Sequence, residues 1–488
     1  MKALCLSFVL CWFSLPALAK SLENSVLRVH SVVQRSDYDA PWTAKQNERM
    51  VHMGLVLDER TLLTAAFAVK EARHLEAEKL GDPRRYPLRI EFVDDVANLA
   101  VLRFEDAAPQ ALEALPLGSD LSLGDNVNLY QALEGETLVN NAIKLREVEV
   151  RPVYLVEYPL PQYVFELRRA GYGWFEPIMR DEKLVGVAIG QAASSVYALP
   201  SRLLKRFLEG WRKLPYRGFV DPGFQVSSML SPYLREYAKA SEVSDGVWIQ
   251  SVHADSPFAD SVRVGDVLLE FQGLRVSARG SYEHPRWGRI SFMSQLAEIA
   301  AGDRVRLTLL RGGETIKVEK VLPVYDPSHE RIPPPALSQP VYTIFGGFLF
   351  QELSAGLMQS WGTQWKRRAP LPYLFEAEFH KNPSADGKAR AVVLQRVLPI
   401  EYNKGYHDME DVFVTEVNGR SIQNISDLES ALNDAGYQQR GYAHIIVEPG
   451  HEEVILSYQG LDRVHKTIRK RYGIQDTARF WEPSQKPR

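Results

Sequence analysis

Hydrolysis through a serine nucleophile needs three roles in one pocket: a hydroxyl that attacks, an imidazole that takes its proton, and a carboxylate that fixes the imidazole's tautomer. The N-terminal part of the chain offers His30, His52 and His74 as imidazoles and the pair Ser194-Ser195 as hydroxyls. None of them lies in a recognisable nucleophile turn. Each reads as structural, His52 as a polar residue at a strand start. No His, Cys, Asp or Glu cluster has metal-ligand spacing, and no glycine-rich loop has the form of a nucleotide site. Neither a metal nor a cofactor is indicated.

The elements that would hold such groups are easier to read than the groups. Met53 to Leu63 is two short apolar runs around a polar turn, Asp58-Glu59-Arg60, the pattern of paired strands. Leu62-Leu63-Thr64-Ala65-Ala66-Phe67 continues it, and Val96-Ala97-Asn98-Leu99-Ala100-Val101-Leu102 is a further apolar strand. Tyr172-Gly173-Trp174-Phe175-Glu176-Pro177 leads into a hairpin, Ile178 to Val187, and Tyr197-Ala198-Leu199-Pro200-Ser201 into a helix carrying Leu203, Leu204, Phe207 and Leu208.

In this order the segments resemble the barrels of HtrA (Do-like) serine proteases. The resemblance puts Phe67 at the position of the general base, Asn98 at that of the aspartate in Asp-Leu-Ala-Leu-Leu, and Trp174 at that of the serine in Gly-Asn-Ser-Gly-Gly-Pro. It implies a trypsin-like double β-barrel with none of its catalytic groups. A benzyl ring accepts no proton, an asparagine carries no charge, and an indole offers only an N–H donor. The loop that should aim backbone N–H groups at an oxyanion has become Tyr-Gly-Trp-Phe-Glu, whose large side chains would fill the cleft.

Lys2, the apolar stretch Ala3 to Leu15 and the small residues Pro16-Ala17-Leu18-Ala19 read as a secretory signal peptide over 1–19, cleaved after Ala19. The expected location is periplasmic or otherwise secreted, with no stable membrane insertion after cleavage. Cys5 and Cys11 are the chain's two cysteines and lie inside this segment, so the mature chain has neither thiol nor disulfide. The chain's 488 residues, 45% of them hydrophobic, suffice for about three domains. A formal net charge of −3 argues against nucleic acid as a partner. The basic run Lys466 to Arg471 reads as a solvated helix face.

Beyond the barrel region, 20–212, composition changes at Lys213 to Gly218. A second unit over 216–325 carries Gly246 to Val252, Asp255-Ser256-Pro257-Phe258-Ala259 and Val264-Gly265-Asp266 to Gly273. This pattern resembles a PDZ domain of the HtrA type, which adds a peptide as an extra strand while loop N–H groups hold its terminal carboxylate. The implied peptide-binding residues are Gly223, Phe224, Gln225 and Val226, with Leu296 from a groove-lining helix expected over Phe292 to Ala300. A proline-rich linker, 326–340, includes Pro333-Pro334-Pro335. The last unit, 341–480, shows an Asn418-Gly419 turn, a capping box of Ser426 with Glu429, and a buried stripe of Leu428, Ala431 and Leu432. It is similar to the C-terminal PDZ domain of plant-type Deg proteases and their bacterial relatives.

The expected fold is therefore mainly β with α: a trypsin-like double β-barrel followed by two PDZ-type domains. The expected function is that of an inactive protease homologue that binds unfolded or C-terminal peptide segments as a chaperone or adaptor. The alternative is a serine endopeptidase of protein quality control with relocated catalytic residues. The resemblance implies a homo-oligomer, a trimer or a multiple of trimers.

Overall fold

Along β1 (Val26–Val33), Leu27, Val29, Ser31 and Val33 are buried while Arg28, His30 and Val32 are partly exposed, the two-residue period of a strand with one face on a core. In the computed structural model β1, β2 (Glu48–Val56), β3 (Thr61–Ala65), β4 (Ala72–Lys79), β5 (Asp82–Asp94) and β6 (Leu99–Phe104) form a closed barrel in the order β1-β2-β3-β6-β5-β4. A second closed barrel has the order β10-β11-β12-β9-β8-β7, from β7 (Asn126–Ala132), β8 (Leu138–Pro152), β9 (Pro159–Glu166), β10 (Pro177–Arg180), β11 (Lys183–Ala192) and β12 (Ser195–Pro200). Closure leaves no unpaired edge. The turns are locally encoded. Asp58 accepts from the Arg60 amide at 2.8 Å and the Thr61 hydroxyl at 2.6 Å between β2 and β3, while Asp181 and Glu182 both take positive φ, 48° and 62°, between β10 and β11.

The structure describes residues 22–132, 138–153, 156, 158–167, 174–192, 194–334, 339–362, 364–379, 389–475 and 478–482. The expected signal peptide with its cysteines, Tyr172, Gly173 and Pro335 lie outside the described residues.

A helix, Ser201–Arg212, buries Leu203, Leu204, Phe207 and Leu208 and leads to an open sheet of β13 (Phe224–Ser228), β14 (Val247–Val252), β15 (Val267–Phe271), β16 (Leu274–Arg275), β19 (Arg304–Arg311) and β20 (Glu314–Val321). A separate hairpin, β17 (Ser281–His284) with β18 (Gly288–Ser291), precedes a 3₁₀ helix, Phe292–Glu298. The sequence had suggested a regular helix through Ala300. The shorter, tighter helix has a physical cause in Arg206, whose guanidinium reaches across from the closing helix to the carbonyls of Leu296, Ala297 and Ile299. Ile299 is already extended, with φ −93° and ψ 125°, and the end carbonyls that a continuing helix would have used find an arginine instead.

Trp287, in the β17–β18 turn, makes the second joint. It is 3% exposed, donates from Nε1 to the Leu121 carbonyl at 2.9 Å, and lies under the Arg202 guanidinium at 4.3 Å and edge-on to Tyr163 at 6.0 Å. One apolar cluster consequently runs from Leu22 to Leu322 through both barrels and the first open sheet. The expected boundary at 212–216 is a connection between units that share a core.

The last sheet has the order β21-β22-β23-β24-β26-β27, with β25 paired to β24. Its strands are β21 (Tyr342–Phe345), β22 (Phe348–Glu352), β23 (Val392–Val397), β24 (Val412–Val417), β25 (Arg420–Ser421), β26 (Tyr442–Glu448) and β27 (Glu452–Ser457). Asn418 and Gly419 turn with φ 52° and 74°, as their types require. The capping box does not form on Ser426. Asn424 is the extended cap, accepting from the Asp427 amide at 2.8 Å, and Glu429 pairs with Arg479 at 2.6 Å. Leu428, Ala431 and Leu432 are buried as a stripe. The β1–β2 loop reaches this sheet: the Tyr38 carbonyl accepts from Gln395 Nε2 at 3.1 Å, and a Cβ on Gly356 would lie 2.2 Å from the Tyr38 ring.

Removing the Trp287 side chain takes away a filled apolar site and a satisfied N–H donor together. Trp287→Ala is expected to cost about 3–5 kcal/mol in chemical denaturation, with Trp287→Phe retaining part of that loss. A cost below about 1 kcal/mol would mean that the hairpin does not hold the sheet to the barrel.

Candidate functional site

Strand β3 ends in a single 3₁₀ turn, Ala66–Ala68, which presents Phe67. The turn is fixed from the β5–β6 connection: the Ala66 amide donates to the Asn98 carbonyl at 3.1 Å and the Phe67 amide to Asn98 Oδ1 at 2.9 Å. Asn98 is buried with φ 54°, a left-handed conformation that asparagine tolerates better than most residues. Its Nδ2 is buried without a hydrogen-bond partner among the described residues. On the other side Trp174 meets the Phe67 ring edge-to-face, with centroids 4.7 Å apart and planes at 67°. The Trp174 carbonyl accepts from the Met53 amide of β2 at 3.0 Å. Phe67, Asn98 and Trp174, chosen from the sequence because the resemblance puts them at catalytic positions, are thus gathered at one junction between the barrels.

What gathers there is packing. The Phe67–Trp174 contact is an aromatic pair in a favoured geometry, and the Asn98 side chain accepts from a backbone amide. The loop beyond Trp174 is equally committed. Phe175 is fully buried with φ 68°, and its amide donates to the Ala188 carbonyl at 2.9 Å. The histidines lie elsewhere. His30 pairs with Glu78 at 3.0 Å and His74 with Glu76 at 3.0 Å. His52 is mid-strand in β2, opposite Val29, and not at a strand start; it is buried, and both ring nitrogens lack hydrogen-bond partners among the described residues. Ser194 gives its carbonyl to the Leu167 amide at 2.8 Å, and Ser195 begins β12. Among the described residues, no group of three His, Cys, Asp or Glu side chains could hold a metal ion.

The expected peptide-binding residues divide. Among the described residues β13 is an edge strand, paired only with β14, as strand addition requires. Gly223 precedes it with φ 67°, and a Cβ there would meet Ser256 at 2.7 Å, so glycine is needed on both counts. Phe224 is buried against Phe258, with centroids 6.0 Å apart. Gly223, Phe224 and Gln225 line a common cavity with Met293; Val226 and Leu296 do not. A register shift between Gln225 and Val226 re-aims the strand, and Leu296, 1% exposed, packs inward.

Comparison with known proteins follows these divisions. Two PDZ-domain models match, one over residues 238–321 and one over 335–478. "Protease Do-like 2, chloroplastic" of Arabidopsis thaliana is 26% identical over 85% of this chain and 68% of its own length. "Putative protease Do-like 3, mitochondrial", from the same plant, is 22% identical over 84% and 72%. A solved variant of the HtrA-type protease AlgW with decapeptide covers 66% of this chain and is itself 99% covered, with a TM-score of 0.50 and 18% identity. The chain is similar to HtrA/Deg proteases over most of its length and carries two PDZ domains. Its two barrels are the trypsin-like part of that fold, and its two open sheets belong to PDZ domains.

Sequence reasoning gave no role to one group beside the barrel junction. Glu176 is fully buried behind Phe175, where both its oxygens accept from Gln131 Nε2, at 2.9 and 3.0 Å, and Gln131 Oε1 accepts from Asn141 Nδ2 at 2.8 Å. Burial pushes its carboxyl up to about 7, against the pull of the Gln131 hydrogen bond. Nothing in the local sequence signals this, because the partners come from β7 and β8. His52 is perturbed oppositely: burial, helped by the charge of His30, pushes it down to about 3.

The signs of the two groups differ. A carboxyl raised in the folded chain contributes stability that is fully present below its usual 4.5 and is lost as pH rises through about 7. An imidazole lowered in the folded chain contributes stability that is present above 6.5 and is lost as pH falls toward 3. Glu176→Gln is therefore expected to remove a loss on the order of 3 kcal/mol between weakly acidic and neutral pH. Denaturation midpoints of the variant and parent across that range check this. Parallel curves would show that Glu176 ionises without cost.

Proposed function

We propose that this chain is an exported HtrA/Deg homologue that holds polypeptide without cutting it, acting as a chaperone, an adaptor or a competitor of an active relative. One observation carries the reading: at the junction where the family resemblance puts base, acid and nucleophile, the Phe67 ring packs on Trp174 at 4.7 Å and the Phe67 amide donates to Asn98 Oδ1 at 2.9 Å. Neither ring nor amide can take a proton from a nucleophile at neutral pH. The Phe175 amide, on the loop that would supply oxyanion donors, is already bonded to the Ala188 carbonyl.

Support for polypeptide binding comes from the edge strand β13 in a unit that a PDZ model matches, and from the decapeptide bound by the AlgW variant. Lys2, the apolar run after it and the small residues up to Ala19 support export to the periplasm or another secreted location. A trimer or a multiple of trimers is the assembly that the family resemblance implies.

A fluorophosphonate probe separates this reading from an endopeptidase with relocated catalytic groups. The expected result is no stoichiometric label and no cleavage of unfolded casein, together with measurable casein binding. Phe67→His, Asn98→Asp and Trp174→Ser combined should stay at background, because the Phe175 amide remains tied to β11. Stoichiometric labelling of the parent chain, or strong cleavage by the triple variant, would overturn the proposal.

A further inference from the structure

The loop between β1 and β2 runs from the barrel junction to the C-terminal PDZ sheet. At its start Arg35 donates from Nη2 to the Phe67 carbonyl at 3.3 Å. Further on it lies on a face of β21, β22 and β23, where the Tyr38 carbonyl accepts from Gln395 Nε2 at 3.1 Å and Trp42 meets Tyr342 edge-on at 6.5 Å. Tyr38 is 8% exposed and fills an apolar notch with Leu353, Leu357, Tyr373 and Val393. Gly356 forms the floor of the notch, and a Cβ there would lie 2.2 Å from the Tyr38 ring. The backbone at Gly356 is helical and suits any residue, so the ring, and not the conformation of the chain, requires glycine.

A notch for one aromatic ring, beside an amide that reads the carbonyl of the same residue, is a recognition element for extended polypeptide. The loop matches that face incompletely. Gln351 is fully buried, opposite Tyr342 of β21 and Val393 of β23. Residues directly opposite share a face, which puts Gln351 under the stretch from Tyr38 to Trp42. Neither end of its amide has a hydrogen-bond partner among the described residues, and Gln395 Oε1 has none either. Buried amide groups left unpaired cost free energy that a better-matched segment recovers. We infer that this face of the C-terminal PDZ unit is a polypeptide-binding site held shut by the β1–β2 loop, and that it takes an extended segment whose aromatic side chain replaces Tyr38. The inference rests on the reading that the chain holds polypeptide, and it adds to that reading a site away from β13 and a preference for aromatic residues.

A labelled peptide with the sequence of residues 34–46 tests it by fluorescence anisotropy on the full chain. The peptide is expected to bind the Tyr38→Ala chain, whose notch is open, about tenfold tighter than the parent, where the tethered loop competes at an effective concentration of about millimolar. Adding Gly356→Leu fills the notch and should return the affinity to the parent's level. Equal affinity for the parent and Tyr38→Ala chains, or tight binding that survives Gly356→Leu, would overturn the inference. The parent chain gives a readout that needs no variant to fold: hydrogen exchange of amides in residues 36–44 should quicken about tenfold when unfolded casein is bound, with the β17–β18 hairpin unchanged. Casein binding without any change in that loop would overturn the inference and leave polypeptide holding intact. Failure of the parent to bind casein, with the peptide still captured by the Tyr38→Ala chain, would overturn the holding reading and keep the site.

Discussion

The guanidinium of Arg206 sets the geometry on which the rest depends. It projects from the helix that closes the second barrel, donates to the carbonyls of Gly218 at 2.8 Å and of Ala297 and Ile299, and stacks on Phe219 at 4.4 Å. Burial lowers its pKa, yet the group has enough donors in a rigid fork to serve several carbonyls at once, which the single ammonium of a lysine could not do in the same geometry. One side chain thereby ends the 3₁₀ helix of the PDZ unit, fixes the connection that leads into it, and joins both to the barrel. Trp287 adds a second point of attachment. The PDZ unit is therefore part of the barrel's core and not a module on a tether, and the cavity beside Gly223 includes Tyr158 from β9's approach because of it.

The junction between the barrels shows what that rigidity now supports. In a working triad the three groups are held so that a proton can move, and mobility of the nucleophile loop is part of the arrangement. In this chain Phe67 and Trp174 close on each other, Phe175 and Glu176 are fully buried, and Asn98 fastens two successive amides of the β3 end. Each of these side chains adds contact at the junction. Apolar burial favours such filling.

Features written over a few consecutive residues were legible in the sequence. The strands on either side of Asp58, the hairpin after Pro177, the Asn418-Gly419 turn and the buried stripe from Leu428 to Leu432 all follow from turn chemistry and spacing, and the structure has them. Features that depend on a distant partner were not. Ser426 satisfies the capping pattern as well as Asn424 does, but Glu429 is drawn to Arg479, 50 residues on, and the cap forms where the extended residue falls. The end of the 3₁₀ helix answers to an arginine more than 90 residues earlier, and the Glu176 carboxyl, raised by burial, takes its hydrogen bonds from Gln131, 45 residues earlier. Single-residue types carried no trace of these pairings.

Asp221 is the instructive case, because its role was local and still went unread. In Asp221-Pro222-Gly223 an aspartate stands two residues before a glycine amide, the spacing of an Asx turn. The resemblance to a PDZ domain implies a ligand for the same glycine. Both readings are chemically sound, and they compete for one N–H. The folded chain satisfies the internal one, at 2.6 Å, because a carboxylate held on the same loop loses little entropy on reaching the amide, whereas a ligand must bring its own. The unit therefore keeps an edge strand at β13 while this loop amide is satisfied from within the chain.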